Sequence, residues 1–303
     1  MIASDAGAPR PTLSVVVVSF NGAEILRACL EALAPEGAAE GAEVLAVCNW
    51  QDASGRSALE RDFPDTRWVD AQDGTTVPRL RRAGMAACGG EIVAILEDDC
   101  VIAPGWCRAI LVAHRTRDVA IGGAVEPGPY RRGIDWAVFL CEYGRFMQPL
   151  PERPTTDLAG NNVSYKRAVL DELPGSDGFY DVFVHQRWAK EGRPLRADAT
   201  LVVRQTNFRT WHHVTGMPFH HGRGFAGSRF PGASWPVRAG ASILALFLPL
   251  LSTARIMRLA LERRRFGRAT QSFPWIVLFT ASWSLGESAG YLLGPGDSLS
   301  RWR

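Results

Sequence analysis

The sequence predicts an α/β protein with a mostly parallel sheet flanked by helices, followed by hydrophobic helices toward the C-terminal end. Three observations predict it. Apolar, β-branched runs such as "TLSVVVVSF" alternate with helix-patterned stretches over about the first 125 residues, the signature of strands joined by crossover helices. One of those runs, "EIVAILEDDC", ends in three adjacent carboxylates, Glu97, Asp98 and Asp99. Two uncharged apolar runs, Ala239 to Ala254 (16 residues) and Ala269 to Gly286 (18 residues), lie beyond that region.

Each element has its own signal. "TLSVVVVSF" is apolar without alternation, as in a strand buried on both faces. "NGAEILRACLEAL" places Ile25, Leu26, Cys29, Leu30 and Leu33 on one helical face. "EVLAVCN" reads as a second strand and "TRWVDA" as a weaker third. "VPRLRRAGMAACGG" is a helix closed by glycine, "EIVAIL" a fourth strand, "APGWCRAILVAH" a helix opened by Pro104, and "VAIGGAVEP" a further strand. Farther on, "DLAGNNVSYKRAVLDEL" is a short strand feeding a helix. "YDVFVHQRWAKEGRPLRADATLVVRQ" is a helix stopped at Gly192 and then a strand.

Composition narrows the function. At 303 residues and 47% hydrophobic, the chain can bury a sizeable core, and a net charge of +3 is too small to argue for a nucleic-acid partner. The six cysteines form no CxxC pair, and the opening "MIASDAGAPRP" lacks a signal-peptide core, so reduced thiols in the cytosol are expected. The expected organisation is a flexible leader at 1–11, an α/β domain at 12–235 and a membrane-associating helical segment at 236–303. Both apolar runs are near or below the roughly 20 residues a spanning helix needs. Between them stand Arg255, Arg258, Arg263, Arg264, Arg265 and Arg268 against a lone Glu262. Two spans would place this basic loop opposite residues 1–238, so helices lying in the cytosolic interface, or a re-entrant pair, are expected, with a pair of buried helices as the alternative.

Open α/β sheets bind ligands at the carboxyl ends of their strands. Ser19, Phe20 and Asn21 after the first strand, Asn49 after the second and the acidic triplet after the fourth would meet there. There is no GxGxxG turn and no GxxxxGK[ST] loop, so a nucleotide would be held by side chains and a metal. Two unit charges 4 Å apart repel by roughly 4 kcal/mol at an effective dielectric near 20, so the triplet calls for a compensating cation unless it is simply a solvated acidic turn.

In this order, "VSFNGAEILRACLEAL", "VCNWQD", "RLRRAGMAACGGEIVAILEDD" and "AGNNVSYKR" resemble the inverting family-two glycosyltransferases of the GT-A fold, over roughly Leu13 to Val203. The resemblance implies a sugar transfer from a nucleoside-diphosphate sugar to a hydroxyl acceptor, lipid-linked or part of a cell-envelope glycan. Asp99 would ligate Mg²⁺ or Mn²⁺ directly, Glu97 directly or through water, and Asp98 would contact the ribose or sugar. Asp181, in "GFYDVFVHQRWAKEG", would be the base that deprotonates the acceptor, with Asp177 as its substitute and helix capping as a compatible role. Asn161 and Asn162 would floor the sugar pocket, or else satisfy a turn. Phe20 would stack on the nucleotide base, or else pack in the core.

The chain departs from the family pattern in several places. Cys48 and Asn49 stand where an aspartate usually reads the base, with Asp52 a turn away. Arg82 stands where an asparagine is common, and would meet phosphate. The last strand ends in Arg204 and Gln205 where a histidine is frequent, so His212 or His213 would reach back, His213 as the third metal ligand. The arginines around "TWHHVTGMPFHHGRGFAGSR" would form a mobile flap over the diphosphate or rest on lipid headgroups. A rival reading is a GT-A-like membrane-bound scaffold without catalysis, and a weaker one is a metal-dependent phosphotransferase.

Overall fold

A computed structural model describes residues 11–150, 153–175, 177–206, 209–229 and 232–302. Apart from Pro11, the expected leader lies outside the described residues. The chain divides into two compact units, Met1–Ala124 with Leu150–Gln205 and Val125–Pro149 with Thr206–Arg303. The boundary expected after residue 235 therefore moves: Val125–Pro149 and everything from Thr206 group with the C-terminal helices.

The first unit runs β1 (Leu13–Ser19), α1 (Ala23–Ala39), β2 (Glu43–Cys48), α2 (Ala53–Asp62), β3 (Arg67–Asp70), α3 (Val77–Ala87), β4 (Ile92–Glu97), β5 (Cys100–Ile102), α4 (Trp106–Ala113) and β6 (Ala120–Pro127). After α5 (Gly133–Glu142), which belongs to the second unit, come β7 (Arg153–Pro154), β8 (Asn162–Lys166), α6 (Arg167–Asp171), α7 (Asp181–Lys190) and β9 (Leu195–Gln205). The strands form one sheet in the order β3-β2-β1-β4-β8-β6-β9-β5, with β7 paired to β9. β1 to β4 are mutually parallel where they pair, as expected. β8 then inserts antiparallel between β4 and β6, so "VAIGGAVEP" does not extend the parallel series.

Every residue of β1 is buried, as the uninterrupted apolar run requires. α3 packs closely against it: a Cβ on Gly84 would overlap the Val16 side chain and lie 2.9 Å from Val47 Cγ2. Arg81 stands three residues before Gly84, on the same helical face, so the close approach that glycine permits also carries Arg81 down onto the sheet. Gly192, at φ +73°, ends α7 where the sequence places the stop.

The acidic turn has a second job. β4 and β5 are four places apart in the strand order, about 19 Å in a flat sheet, yet only Asp98 and Asp99 join them, a span of at most about 11 Å. The sheet must curl to bring those strands together, and Asp98 and Asp99 bridge the seam.

The second unit comprises α5, α8 (Trp211–Val214), α9 (Gly216–Arg229), α10 (Trp235–Ala245), α11 (Leu248–Glu262), α12 (Phe266–Gln271) and α13 (Phe273–Leu293). α9 and α13 cross with their backbones touching: a Cβ on Gly222 or Gly286 would overlap a carbonyl oxygen of the other helix, and one on Gly290 would lie 2.5 Å from Arg223 O. Buried Asp135 accepts hydrogen bonds from Arg132 Nη2 (2.6 Å) and from the Arg209 backbone N–H (2.7 Å). The stretch expected as a mobile flap or a lipid-facing surface is mostly helix. Its Arg223 donates to Gly294 O at 3.2 Å, and Arg229 donates to Tyr291 Oη at 2.7 Å. Among the described residues no single helix is long and apolar enough to cross a membrane.

Gly84→Ala is expected to cost about 1–3 kcal/mol through overpacking of α3 on β1 and β2. The check is urea unfolding, in which the midpoint should fall at unchanged slope.

Candidate active site

The sheet register gathers the expected site residues at one end. Val18 pairs with Glu97, Ser19 with Cys48, and Leu96 with Asn162, so the exits of β1, β2 and β4 and the entry of β8 lie side by side. The acidic triplet is buried here, each residue under a tenth exposed, and is not a solvated turn.

The three carboxylates have different partners. Asp98 Oδ2 accepts from Ser19 Oγ (2.8 Å) and from the backbone N–H groups of Phe20 and Asn21 (2.9 Å each). Asp98 Oδ1 accepts from Asn21 Nδ2 at 2.7 Å. These four bonds clamp Asp98 to the β1 exit, at the place where the sequence expected it to contact the ribose or sugar. Ser19 and Asn21 are spent on the same clamp, with Trp50 Nε1 donating to Ser19 Oγ at 2.8 Å. Glu97 Oε1 accepts from Arg81 Nη2 at 2.9 Å. Asp99 lies 3.5 Å from the Cys100 thiol, its donor.

Burial and the neighbouring Asp99 push Asp98 up to about 7. Burial likewise raises Glu97 to about 7, with Arg81 opposing and Asp99 assisting. Burial also pushes the Cys48 thiol up to about 12 and raises Cys100 well above its usual value, so neither is a thiolate nucleophile.

Arg81, which sequence reasoning missed, is the centre of this site. Its Nη1 donates to Asp181 Oδ1 at 2.7 Å while its Nη2 holds Glu97. The expected phosphate contact, Arg82, turns about 100° away along the helix, to a cleft lined by Arg167, Leu170 and Asp171 beside the start of β4. Asp181 begins α7 and is buried, whereas its proposed substitute Asp177 is exposed and paired with Arg79. A Cβ on Gly160 would overlap Asp181 Oδ2 and lie 2.8 Å from Arg81 Nη2, so only glycine fits beside this pair. One turn into α7, buried His185 meets Tyr165 Oη at 2.9 Å, and burial lowers it to about 4, so it backs Asp181 as a neutral ring. Only its i+4 spacing from Asp181 could have flagged it.

The two asparagines separate. Asn162 Nδ2 donates to Ala124 O and Leu201 O (2.9 Å each), and its Oδ1 accepts from Trp106 Nε1 at 3.1 Å. It ties strands together. Asn161, 1% exposed, has no hydrogen-bond partner on either amide atom.

The other expected contacts resolve as follows. Asn49 donates to Thr75 O at 2.7 Å. Phe20 packs partly buried against the sheet core. Asp52 caps α2 through Gly55 N at 3.0 Å. His213, expected as a metal ligand, belongs to the second unit, where Nδ1 bonds Thr210 N (3.1 Å) and Thr210 Oγ1 (2.9 Å). Among the described residues no three His, Cys, Asp or Glu side chains gather as a metal site. The strand-end residue beside the acidic turn is Gln205, paired across the sheet with Cys100.

The strand order, the buried acidic turn and the basic-acidic cluster at the strand ends define a glycosyltransferase domain of the GT-A fold. The family profile "Glycosyltransferase like family 2" matches residues 9–226, and the chain belongs to that family. It is 29% identical over 133 residues to a glucosyl-dolichyl phosphate glucuronosyltransferase of Haloferax volcanii, covering 39% of this chain and 41% of that one. The chain thus spans about two fifths of that relative's length. A mannosyltransferase of Pyrobaculum calidifontis, solved with GDP-Man and Mn²⁺, superposes with a TM-score of 0.58 at 18% identity, covering 94% of this chain and 88% of that one.

A carboxyl raised from 4.5 to about 7 keeps a proton in the folded chain that the unfolded chain has released, so Glu97 makes stability fall as pH rises through that window. Glu97→Gln keeps an acceptor for Arg81 and removes this contribution. The variant is expected to lose less stability than the parent between the two ends of the window, by up to about 3 kcal/mol, as read by urea unfolding at each pH.

Proposed function

We propose that the protein is a metal-dependent, inverting glycosyltransferase that moves a sugar from a nucleoside-diphosphate donor to a hydroxyl of a lipid-linked or cell-envelope glycan acceptor. One observation carries the reading: a buried base candidate, Asp181, and a buried acidic turn are joined through one guanidinium, next to an asparagine whose buried amide has no partner. A buried amide without partners in the protein costs free energy, and a polar ligand would recover it.

The donor set suits a hard cation. All candidate atoms are carboxylate oxygens, and Mg²⁺ or Mn²⁺ is commonly held by one or two carboxylates plus substrate phosphates, so no three-residue cage is needed. Asp99 is the principal candidate and Glu97 the second. When bound, such an ion would neutralise the departing diphosphate.

The chain's own residues do the rest. Arg81 fixes Asp181 through Oδ1, which leaves Oδ2 to take the acceptor hydroxyl proton. The acceptor oxygen forms its bond to the anomeric carbon as the bond to the diphosphate breaks, and the diphosphate leaves with the electron pair. One in-line displacement inverts the anomeric centre. Asn161 would hydrogen-bond the sugar. The Pyrobaculum neighbour's GDP-Man and Mn²⁺ support the donor class, and the Haloferax relative, named for a glucosyl-dolichyl phosphate, supports a lipid-linked acceptor.

The rival reading, a catalytically silent scaffold, draws on the same guanidinium, since carboxylates already paired with arginine demand a cation less. Calorimetric titration of nucleoside diphosphates with and without Mn²⁺ separates the two. Binding should require the ion and be lost in Asp99→Asn; binding that ignores both would overturn the catalytic reading. With a donor identified in this way, Asp181→Asn should lower kcat about 10²–10⁴-fold, and NMR should report an inverted anomeric centre. Gly160→Ala should lower kcat by displacing the Asp181 carboxylate, with the global fold retained by circular dichroism.

A further inference from the structure

We propose that the elbow between α10 and α11 is a membrane-docking surface that lies in the interface of an anionic lipid leaflet. The proposal is independent of the catalytic reading. Large apolar side chains face outward around the elbow: Ile243, Leu244, Leu246, Phe247, Leu250 and Leu251 are each more than half exposed. A soluble surface rarely keeps so many large apolar side chains together unless something covers them.

The outward residues follow the helical period through Val237, Ile243, Leu244, Phe247, Leu250, Leu251 and Ala254, and the same stripe then turns basic at Arg255 and Arg258. This change is what points to lipid as the occupant. Apolar side chains enter the acyl boundary while arginines about a turn farther on reach phosphate headgroups. From Thr206 to Gly286 the sequence contains ten arginines and one acid, Glu262, so the charge complement is an anionic surface. Within this region Arg255, Arg258, Arg264, Arg265 and Arg268 are exposed.

Geometry favours lying in the interface over crossing. α10 has 11 residues and α11 has 15, about 16 and 22 Å of helix against a hydrocarbon core of about 30 Å. The two helices bend by 47° at their break, and the arginines on the stripe bar deeper entry of α11. The deepest point would be Leu246 and Phe247, at the break itself.

The test is co-sedimentation of the full chain with phosphatidylglycerol-containing vesicles and with pure phosphatidylcholine vesicles, neither carrying donor or acceptor. The chain should bind, and bind the anionic vesicles more tightly. Phe247→Glu with Leu251→Glu should abolish binding to both while circular dichroism and Tm stay unchanged. Arg255→Glu with Arg258→Glu should remove the anionic preference, by about fivefold or more per arginine. Failure of the parent chain to bind either vesicle would overturn the proposal, as would vesicle binding unchanged in the Phe247/Leu251 variant. So would light scattering that shows the face covered by a second copy, with the apolar variant dissociating that dimer and leaving lipid binding intact.

Discussion

The Arg81 guanidinium fixes the geometry of two buried carboxylates in the first unit. Glu97 arrives from β4, Asp181 from the start of α7, and the sequence separates them by more than eighty positions, yet both end on adjacent nitrogens of one side chain. Burying three ionisable groups together is costly, and the arrangement persists only because the fork satisfies both carboxylates with good geometry. The arrangement in turn needs α3 close to the sheet, which Gly84 permits, and space beside Asp181, which Gly160 permits. Two glycines on different elements thus serve one ion-pair network.

That network leaves an imbalance. Glu97, Asp98, Asp99 and Asp181 outnumber the single arginine, and three negative charges would remain if all four ionised. Burial answers part of this by raising Glu97 and Asp98 to about 7, so that near neutral pH they are only partly ionised. A structural turn would be under no pressure to hold carboxylates in so unfavourable a place. Asp98 is the exception, since its four hydrogen bonds hold the exit of β1 against the end of β4.

Much of this was legible in the sequence, and the errors share one physical form. The parallel strands β1 to β4 follow directly from continuous apolar runs, and the acidic turn from its composition. The residue-level errors are often displacements by one position. Arg82 stood in for Arg81, and one step on a helix is about 100° of rotation. Asn161 and Asn162 are indistinguishable by type, but adjacent residues at the start of a strand point to opposite sides, one into a backbone clamp and the other into a position without a hydrogen-bond partner. Pattern fixes the element, while phase is set by packing that lies far away in sequence. The placement of β8 between β4 and β6 is non-local in the same sense.

The two C-terminal apolar runs show the same limit from another direction, because by composition they are nearly equivalent. The structure assigns them opposite fates. The run from Ala269 feeds α13, where Ile276, Phe279, Thr280, Ser284 and Gly290 are buried within the second unit. Its distinguishing mark is Gly286 and Gly290, four residues apart on one face, which let α9 come close enough for backbone contact. The run from Ala239 has no such pair and is broken between α10 and α11, and most of its large side chains remain outside. In that run Ala241, Ser242 and Ala245 turn inward, while most of the large side chains beside the arginines leave a face that protein has not covered. The apolar run without the glycine spacing is therefore the one whose hydrophobicity is addressed to something other than the chain's own core.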